Sequence, residues 1–259
     1  MITKIIHEDK IQKAHKYIEK GESFVIVTHV SPDGDAIGSA LGLFHFLNAY
    51  GKENVSVIVP NDYPNFLKWI PGTKDVTIYE KYPEFSEQLI SDADVIFCLD
   101  FNDPKRIEKL ADPVLKSEAR KVLIDHHLHP VEFCNVTMSY PNISSTSEMV
   151  FRFICRMGLF DLIDKNAAEC IYTGMMTDTG AFTYNSNHPE IYTIIGELIK
   201  LGIDKDLIYR RINQVYSEGR LRLMGYVLYE KMKVHHDMQA AMIALSVDEL
   251  NRFNYQTGD

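Results

Sequence analysis

No apolar run in this sequence approaches the ~20 residues a helix needs to cross a bilayer. The amino-terminal stretch MITKIIHEDKIQKAHKYIEKG also lacks the apolar core of a secretory signal. A membrane partner is therefore not expected, and a cytoplasmic chain is. An excess of cations is missing too: 27 Lys and Arg face 36 Asp and Glu, for a net charge of −9. That balance lacks the basic footprint with which proteins grip long duplex nucleic acid. It leaves short oligonucleotides open, because a cation-loaded site binds phosphate locally whatever the overall charge. Cysteine is scarce, with four residues and no CxxC pair, which reads as buried free thiols in a reducing compartment. No internal repeat or low-complexity tract interrupts the chain. What is present is 259 residues, 46% of them apolar, enough for a substantial core.

Four short apolar runs stand out: Phe24-Val25-Ile26-Val27, Val55-Ser56-Val57-Ile58-Val59, Asp94-Val95-Ile96-Phe97-Cys98-Leu99 and Lys121-Val122-Leu123-Ile124. Continuous rather than alternating apolarity predicts strands covered on both faces. Helical spacing lies between and beside them, over 9–20 up to Gly21, over 36–50 up to Gly51, and weakly over 105–118, where Pro113 interrupts. Alternating strands and helices predict an α/β fold, a three-layer, mainly parallel sheet with helices on both faces. From about residue 145 the pattern turns helical. Ser144-Ser145-Thr146-Ser147 supply caps for a helix ending at Gly158, and further helices follow over about 164–177, 189–201 and 204–231. Gly219 and Gly225 are the expected places for a break in the last. Residues 239–245 read as a strand.

Three of the strand runs end in carboxylates or imidazoles: His29, Asp33 and Asp35 after the first, Asp100 after the third, and Asp125-His126-His127 after the fourth. Ligands of open α/β sheets bind at the carboxyl ends of strands, so these residues are expected to converge. Pro32 and Gly34 make a tight turn that crowds two carboxylates and an imidazole, a repulsion that a divalent cation relieves. Taken singly, each motif has a plainer reading. The first fits acids on a helix dipole, Asp100 a helix cap, the histidine pair a solvated strand end, and Asp178, between Thr177 and Thr179, a helix-end turn. Together they form a ligand set of oxygen and imidazole donors that suits manganese, with magnesium, iron, cobalt or zinc as alternatives.

The strings THVSPDGDAIGSALGL (28–43), CLDFND (98–103), DHH (125–127) and GMMTDTGAFTY (174–184) resemble the four motifs of the DHH phosphoesterase superfamily, and most closely its nanoRNase/pAp-phosphatase branch. The resemblance runs over about residues 15–235. It implies a two-metal hydrolase of phosphate esters acting on short oligoribonucleotides or 3′-phosphoadenosine 5′-phosphate. Alternatives are a relative acting on pyrophosphate, polyphosphate or cyclic-dinucleotide products, or a nucleotide binder without activity. It further implies two divalent cations, Mn2+ first, then Mg2+ or Co2+. His29 and Asp33 would hold one, Asp35, His126 and Asp178 the other, and Asp100 would bridge them. His127 would face the phosphate or leaving group, and Asp125 would orient it. A homodimer would fit the family.

Family members continue into a second domain with a GGGH-type motif, which is not found here. The expected layout is therefore a catalytic domain over 1–200, a linker helix over 201–232, and over 233–259 the beginning of a smaller substrate-binding α/β domain of the DHHA1 type, truncated within it. Among the remaining candidates, Arg106 would touch phosphate or make a surface salt bridge. Asn185 and His188 would line the cleft or cap a loop. Arg220 and Arg222 would reach a phosphate or lie on a solvated helix face. His235-His236 is read as a solvated strand end, and Trp69 as a core or loop anchor.

Overall fold

A computed structural model of the chain describes residues 4–255. Six strands, β1 (Ser23–Val27), β2 (Asn54–Val59), β3 (Val76–Ile78), β4 (Val95–Leu99), β5 (Arg120–Asp125) and β6 (Val136–Ser139), form one sheet in the order β3-β2-β1-β4-β5-β6. Every neighbouring pair in it is parallel. Within β1, Phe24 and Ile26 join the core on one face while Val25 and Val27 join the core on the other. The pleat sends successive side chains to opposite faces, so a strand covered twice must be apolar throughout.

On one face lie α1 (Glu8–Lys20), α2 (Gly34–Ala49), α5 (Thr146–Arg156), α6 (Lys165–Asp178) and α7 (Pro189–Lys200). The other face is covered by α3 (Pro83–Ser91), a 3-10 segment over Pro104–Leu110 and α4 (Ala111–Lys116), through Ile90, Ile107, Leu110 and Val114. The three-layer α/β architecture is the one the sequence pattern predicts. The edge strands β3 and β6 and helix α3 are additions to it. The edge strands are short, and β6 alternates buried and half-buried residues, so neither presents a continuous apolar run. The weak helix expected over 105–118 is two pieces, bent at Glu108, whose φ is +45°. Pro113 sits in the first turn of α4, where its missing N–H breaks no helical hydrogen bond.

Helix α2 is buried around its whole first half because it lies between the sheet and α5 and α6. Its approach to α6 is close. A Cβ on Gly38 would stand 2.6 Å from the Cys170 carbonyl oxygen and 2.8 Å from the Gly174 nitrogen. Gly34 and Gly42, on the same stripe, face Thr177 and Ile171. Position 34 meets 177 and position 42 meets 171, so the two helices run antiparallel. The start of α2 is thereby held against the end of α6.

The linker helix expected over 201–232 is instead α8 (Lys205–Asn213) and α9 (Glu218–Tyr226), followed by a π-helical turn over Val227–Lys231. The break lies over 214–217, not at Gly219 or Gly225. Ser217 ends it by accepting the Arg220 N–H as cap of α9. Gly219 serves a close approach to the Phe253 carbonyl. Ile208 on α8 belongs to the main core, so the first half of this segment packs on the sheet domain. Beyond it, β7 (Lys233–His235) and β8 (Ala240–Met242) form an antiparallel hairpin, and α10 (Val247–Arg252) follows. Glu249 of α10 accepts from the Tyr226 hydroxyl at 2.5 Å and from Lys231 at 2.6 Å. Among the described residues no helix is long and apolar enough to cross a membrane, and all four cysteines are free.

Candidate metal centre

The sheet order reverses direction between β1 and β4, the switch point at which open α/β sheets bind ligands. His29 and Asp100 follow those two strands, and Asp125 ends the next one, β5. Asp33 caps α2, accepting the N–H groups of Asp35 and Ala36 at 3.0 Å each, so it serves the helix dipole and the cluster together. Asp35 lies in the first turn of α2 and Asp178 is the last residue of α6. The glycine-lined contact between those helices puts both carboxylates at one end.

All six expected ligand residues come together. Ligand atoms of His29, Asp33 and Asp100 lie within 4.8 Å of one another, as do those of Asp35, His126 and Asp178. The His29 Nε2 is 3.4 Å from Asp100 Oδ2 and 3.8 Å from Asp33 Oδ2. The His126 Nε2 is 3.5 Å from Asp178, 3.7 Å from Asp100 and 3.9 Å from Asp35. Asp100 is thus the carboxylate that touches both groups. His29 Nδ1 faces the Val30 carbonyl at 2.8 Å and His126 Nδ1 faces the Ile143 carbonyl at 3.2 Å. With those nitrogens protonated, both Nε2 lone pairs point into the cluster.

His127 differs. Its Nδ1 bonds Asp125 Oδ1 at 2.7 Å, and its backbone N–H donates to Asp125 Oδ2 at 3.0 Å. Nδ1 also lies 3.8 Å from Asp100, but Asp125 holds it. Exposure divides the cluster. Side chains of Asp35 and Asp100 are 1% and 3% exposed, whereas those of Asp178, His127 and Asp33 are 29%, 33% and 60% exposed. The open side is edged by these three.

The start of α5 supplies partners that reading motif by motif misses. The N–H groups of Thr146 and Ser147, orphan donors of the first helical turn, point at the two Asp35 oxygens at 2.6 and 2.9 Å. The Thr146 hydroxyl donates to Asp100 at 2.8 Å. Ser145 does cap α5, accepting the Glu148 N–H. The run of four hydroxyl residues was the available signal, but it speaks only of capping. Asn185 donates to the same Ile143 carbonyl at 3.5 Å, and His188 stands at the cap position of α7. Arg222 pairs with Glu218, Arg220 lies over Tyr216 and Arg211 over Trp69. These contacts engage arginines of α8 and α9. A depression of about 540 Å³ lined by Lys16, Lys20 and Arg120 opens near the amino ends of β4 and β5, whereas the cluster follows their carboxyl ends.

The electrostatics follow from crowding these carboxylates and imidazoles together. Burial raises the Asp35 pKa well above its usual 3.8, and the charges of Asp100 and Asp178 push it further, despite the helpful Ser147 bond. Burial, with the Asp100 charge added and His126 opposing, lifts Asp178 to about 6. Burial alone would lower His29, but Asp100 and Asp33 outweigh it and raise it to about 10. The reciprocal effect, with His29 outweighing burial, holds Asp100 at about 2. Four clustered carboxylates with two oriented imidazoles fit a divalent metal by donor type. That fit rests on the carboxylates' mutual repulsion and on both Nδ1 anchors.

Comparison with known proteins points the same way. The family model for the DHH family, N-terminal domain, matches residues 23–175. The bifunctional oligoribonuclease and PAP phosphatase NrnA of Thermus thermophilus is 34% identical over 203 residues, 78% of this chain and 57% of that protein. The protein of the same name from Bacillus subtilis is 25% identical over 238 residues, 90% of this chain and 69% of that one. Among solved structures, an exopolyphosphatase-related protein from Bacteroides fragilis is 58% identical, with a TM-score of 0.97 over 99% of this chain and 75% of that one. The chain thus spans little more than half of its Thermus relative.

Proposed function

This chain belongs to the DHH family, and we propose on that footing that it is a two-metal phosphoesterase hydrolysing short oligoribonucleotides and 3′-phosphoadenosine 5′-phosphate. The observation that carries the reading is the convergence of His29, Asp33, Asp35, Asp100, His126 and Asp178 into two groups that share Asp100 at their junction. The substrate class follows from the names of the Thermus and Bacillus relatives.

In this reading His29 and Asp33 hold one divalent cation, Asp35, His126 and Asp178 the other, and Asp100 both, with Mn2+ the first candidate. Such ions supply Lewis-acid stabilisation of charge on phosphoryl oxygens and acidify water to act as nucleophile near neutral pH. The protein's own part is orientation and proton supply. The first turn of α5 fixes both oxygens of Asp35, and the Val30 and Ile143 carbonyls fix the two imidazoles. Asp125 raises the pKa of His127 above its ordinary 6.5 by its hydrogen bond, against partial burial and the Arg106 charge, with Asp100 adding to the rise. That rise favours the protonated ring, with Nδ1–H on Asp125 and Nε2–H free to protonate the leaving oxygen.

We assign residues 1–200 to the catalytic unit, 201–232 to a connector and 233–259 to the beginning of a substrate-binding unit, with the chain in the cytoplasm. The core runs from Ile6 to Ile208 and so takes in the start of the connector, whereas the exposed strands of the hairpin support a separate unit beyond it. The test is turnover by manganese-loaded protein of a 5′-labelled dinucleotide and of 3′-phosphoadenosine 5′-phosphate, beside pyrophosphate, polyphosphate and linear products of cyclic dinucleotides. Hydrolysis of the first two, lost in Asp100→Ala, is expected. Preference for the inorganic chains would move the substrate class to polyphosphate. Absence of any turnover would leave a binding protein.

A further inference from the structure

Beside Asp100 stands a cation that the ligand set does not use. Arg106 lies in the Pro104–Leu110 segment, which Asp103 caps through the Lys105 N–H at 2.9 Å. Its carbonyl accepts the Val30 N–H at 2.8 Å and its own N–H donates to Asp103 at 3.0 Å. The backbone is therefore tied both to the loop that follows His29 and to the loop that follows Asp100. The half-buried side chain donates one guanidinium N–H to the Asp100 carbonyl at 3.4 Å. Asp100 is left-handed, with φ +66°, and this bond helps hold that turn.

Arginine carries five N–H donors in a planar fork. Among the described residues, this one makes that single side-chain hydrogen bond and no ion pair. The surface salt bridge that the sequence allowed is not formed. A guanidinium partly shielded from water without an anionic partner carries a cost, and its fork matches phosphate oxygens in bidentate geometry. Its charge opposes protonation of His127, so the two groups lie within electrostatic reach of each other.

We propose that Arg106 binds the non-bridging oxygens of the substrate's reacting phosphoryl group, on the side of the cluster lined by His127. The assignment rests on the phosphoesterase reading and adds to it a fixed anion contact supplied by the protein itself. Arg106 leaves the metals' coordination untouched. It meets the phosphate from the flank while one of its donors stays on the Asp100 carbonyl.

Arg106→Gln and Arg106→Lys separate phosphate binding from support of Asp100, since glutamine keeps an N–H for that carbonyl and loses the charge and fork. The readouts are calorimetric binding of inorganic phosphate to manganese-loaded protein, manganese affinity, melting temperature, and the KM and kcat for a dinucleotide. In Arg106→Gln, phosphate affinity should fall about ten- to hundredfold, as expected for charge-assisted hydrogen bonds, with KM rising in proportion. Manganese affinity and melting temperature should hold, and lysine should restore only part of the loss. Unchanged phosphate affinity, an equal fall in manganese affinity, or wild-type protein that binds no phosphate would each overturn the assignment. Phosphate binding by wild type without nucleotide turnover would sink the proposed function alone, and the phosphate titration would still decide Arg106.

Discussion

Asp178→Asn is expected to stabilise the metal-free protein while removing its response to manganese. Burial and the Asp100 charge raise the Asp178 pKa from 3.8 to about 6, against the pull of His126. The folded-state value exceeds the unfolded one, so this group favours the fold below pH 3.8 and loses that contribution as pH rises through about 6. At pH 8 the folded protein carries the whole cost of the charge. A shift of that size corresponds to roughly 3 kcal/mol. The side chain is 29% exposed, and screening by water reduces the figure to about 2 kcal/mol. The position adds a little in the same direction, because Asp178 ends α6 and a helix C-terminus repels an anion. Asparagine removes the charge and keeps an acceptor for His126. For a chain of this size, melting should rise by roughly 4–8 °C. With manganese at about 100 times its dissociation constant, wild type should gain about 2.7 kcal/mol and the variant far less. Scanning calorimetry with EDTA and then with Mn2+ should show the order of the two melting temperatures reverse. A variant less stable than wild type without metal, or one gaining as much from Mn2+, would refute both the repulsion and the ligand role.

Manganese must displace the proton that Asp100 and Asp33 hold on His29 up to about pH 10. Its affinity should therefore climb about tenfold per pH unit between pH 7 and 9, and titrations in buffers of different ionisation enthalpy should show proton release; a flat profile would contradict the assignment. Gly38→Ala should cost about 1–3 kcal/mol in a denaturant melt, because the new methyl meets the backbone of Cys170 and Gly174 rather than a movable side chain. Melting like wild type would mean the α2–α6 approach is looser than described. Asp125→Asn withdraws the interaction that raises His127, so the alkaline limb of the kcat profile should move toward lower pH while manganese affinity is retained. An unmoved limb would remove His127 as the proton donor.

Much of this molecule could be read residue by residue. The four apolar runs became β1, β2, β4 and β5 because a strand covered on both faces has no polar side to interrupt the run. Donor identities could be read as well, since carboxylates and imidazoles placed after strands announce themselves by residue type. The short edge strands β3 and β6 escaped, having too few residues to set a period. The break over 214–217 escaped for another reason: Ser217 caps α9 only because the chain turns there, and the nearby glycines carry the stronger local signal for a break.

Orientation was decided by tertiary structure alone. Thr146 and Ser147 reach Asp35 across more than a hundred positions, and they do so with backbone N–H groups that every residue type but proline carries. Gly38 brings α2 onto α6 and so sets Asp35 beside Asp178, a proximity neither helix encodes alone. Arg106 makes no ion pair among the described residues and instead bonds the carbonyl of the Asp100 turn. Residue type determines which groups donate, accept or ionise and is legible locally. The distances and the partners that set their charge come from long-range backbone approach, which exists only once the layers have packed.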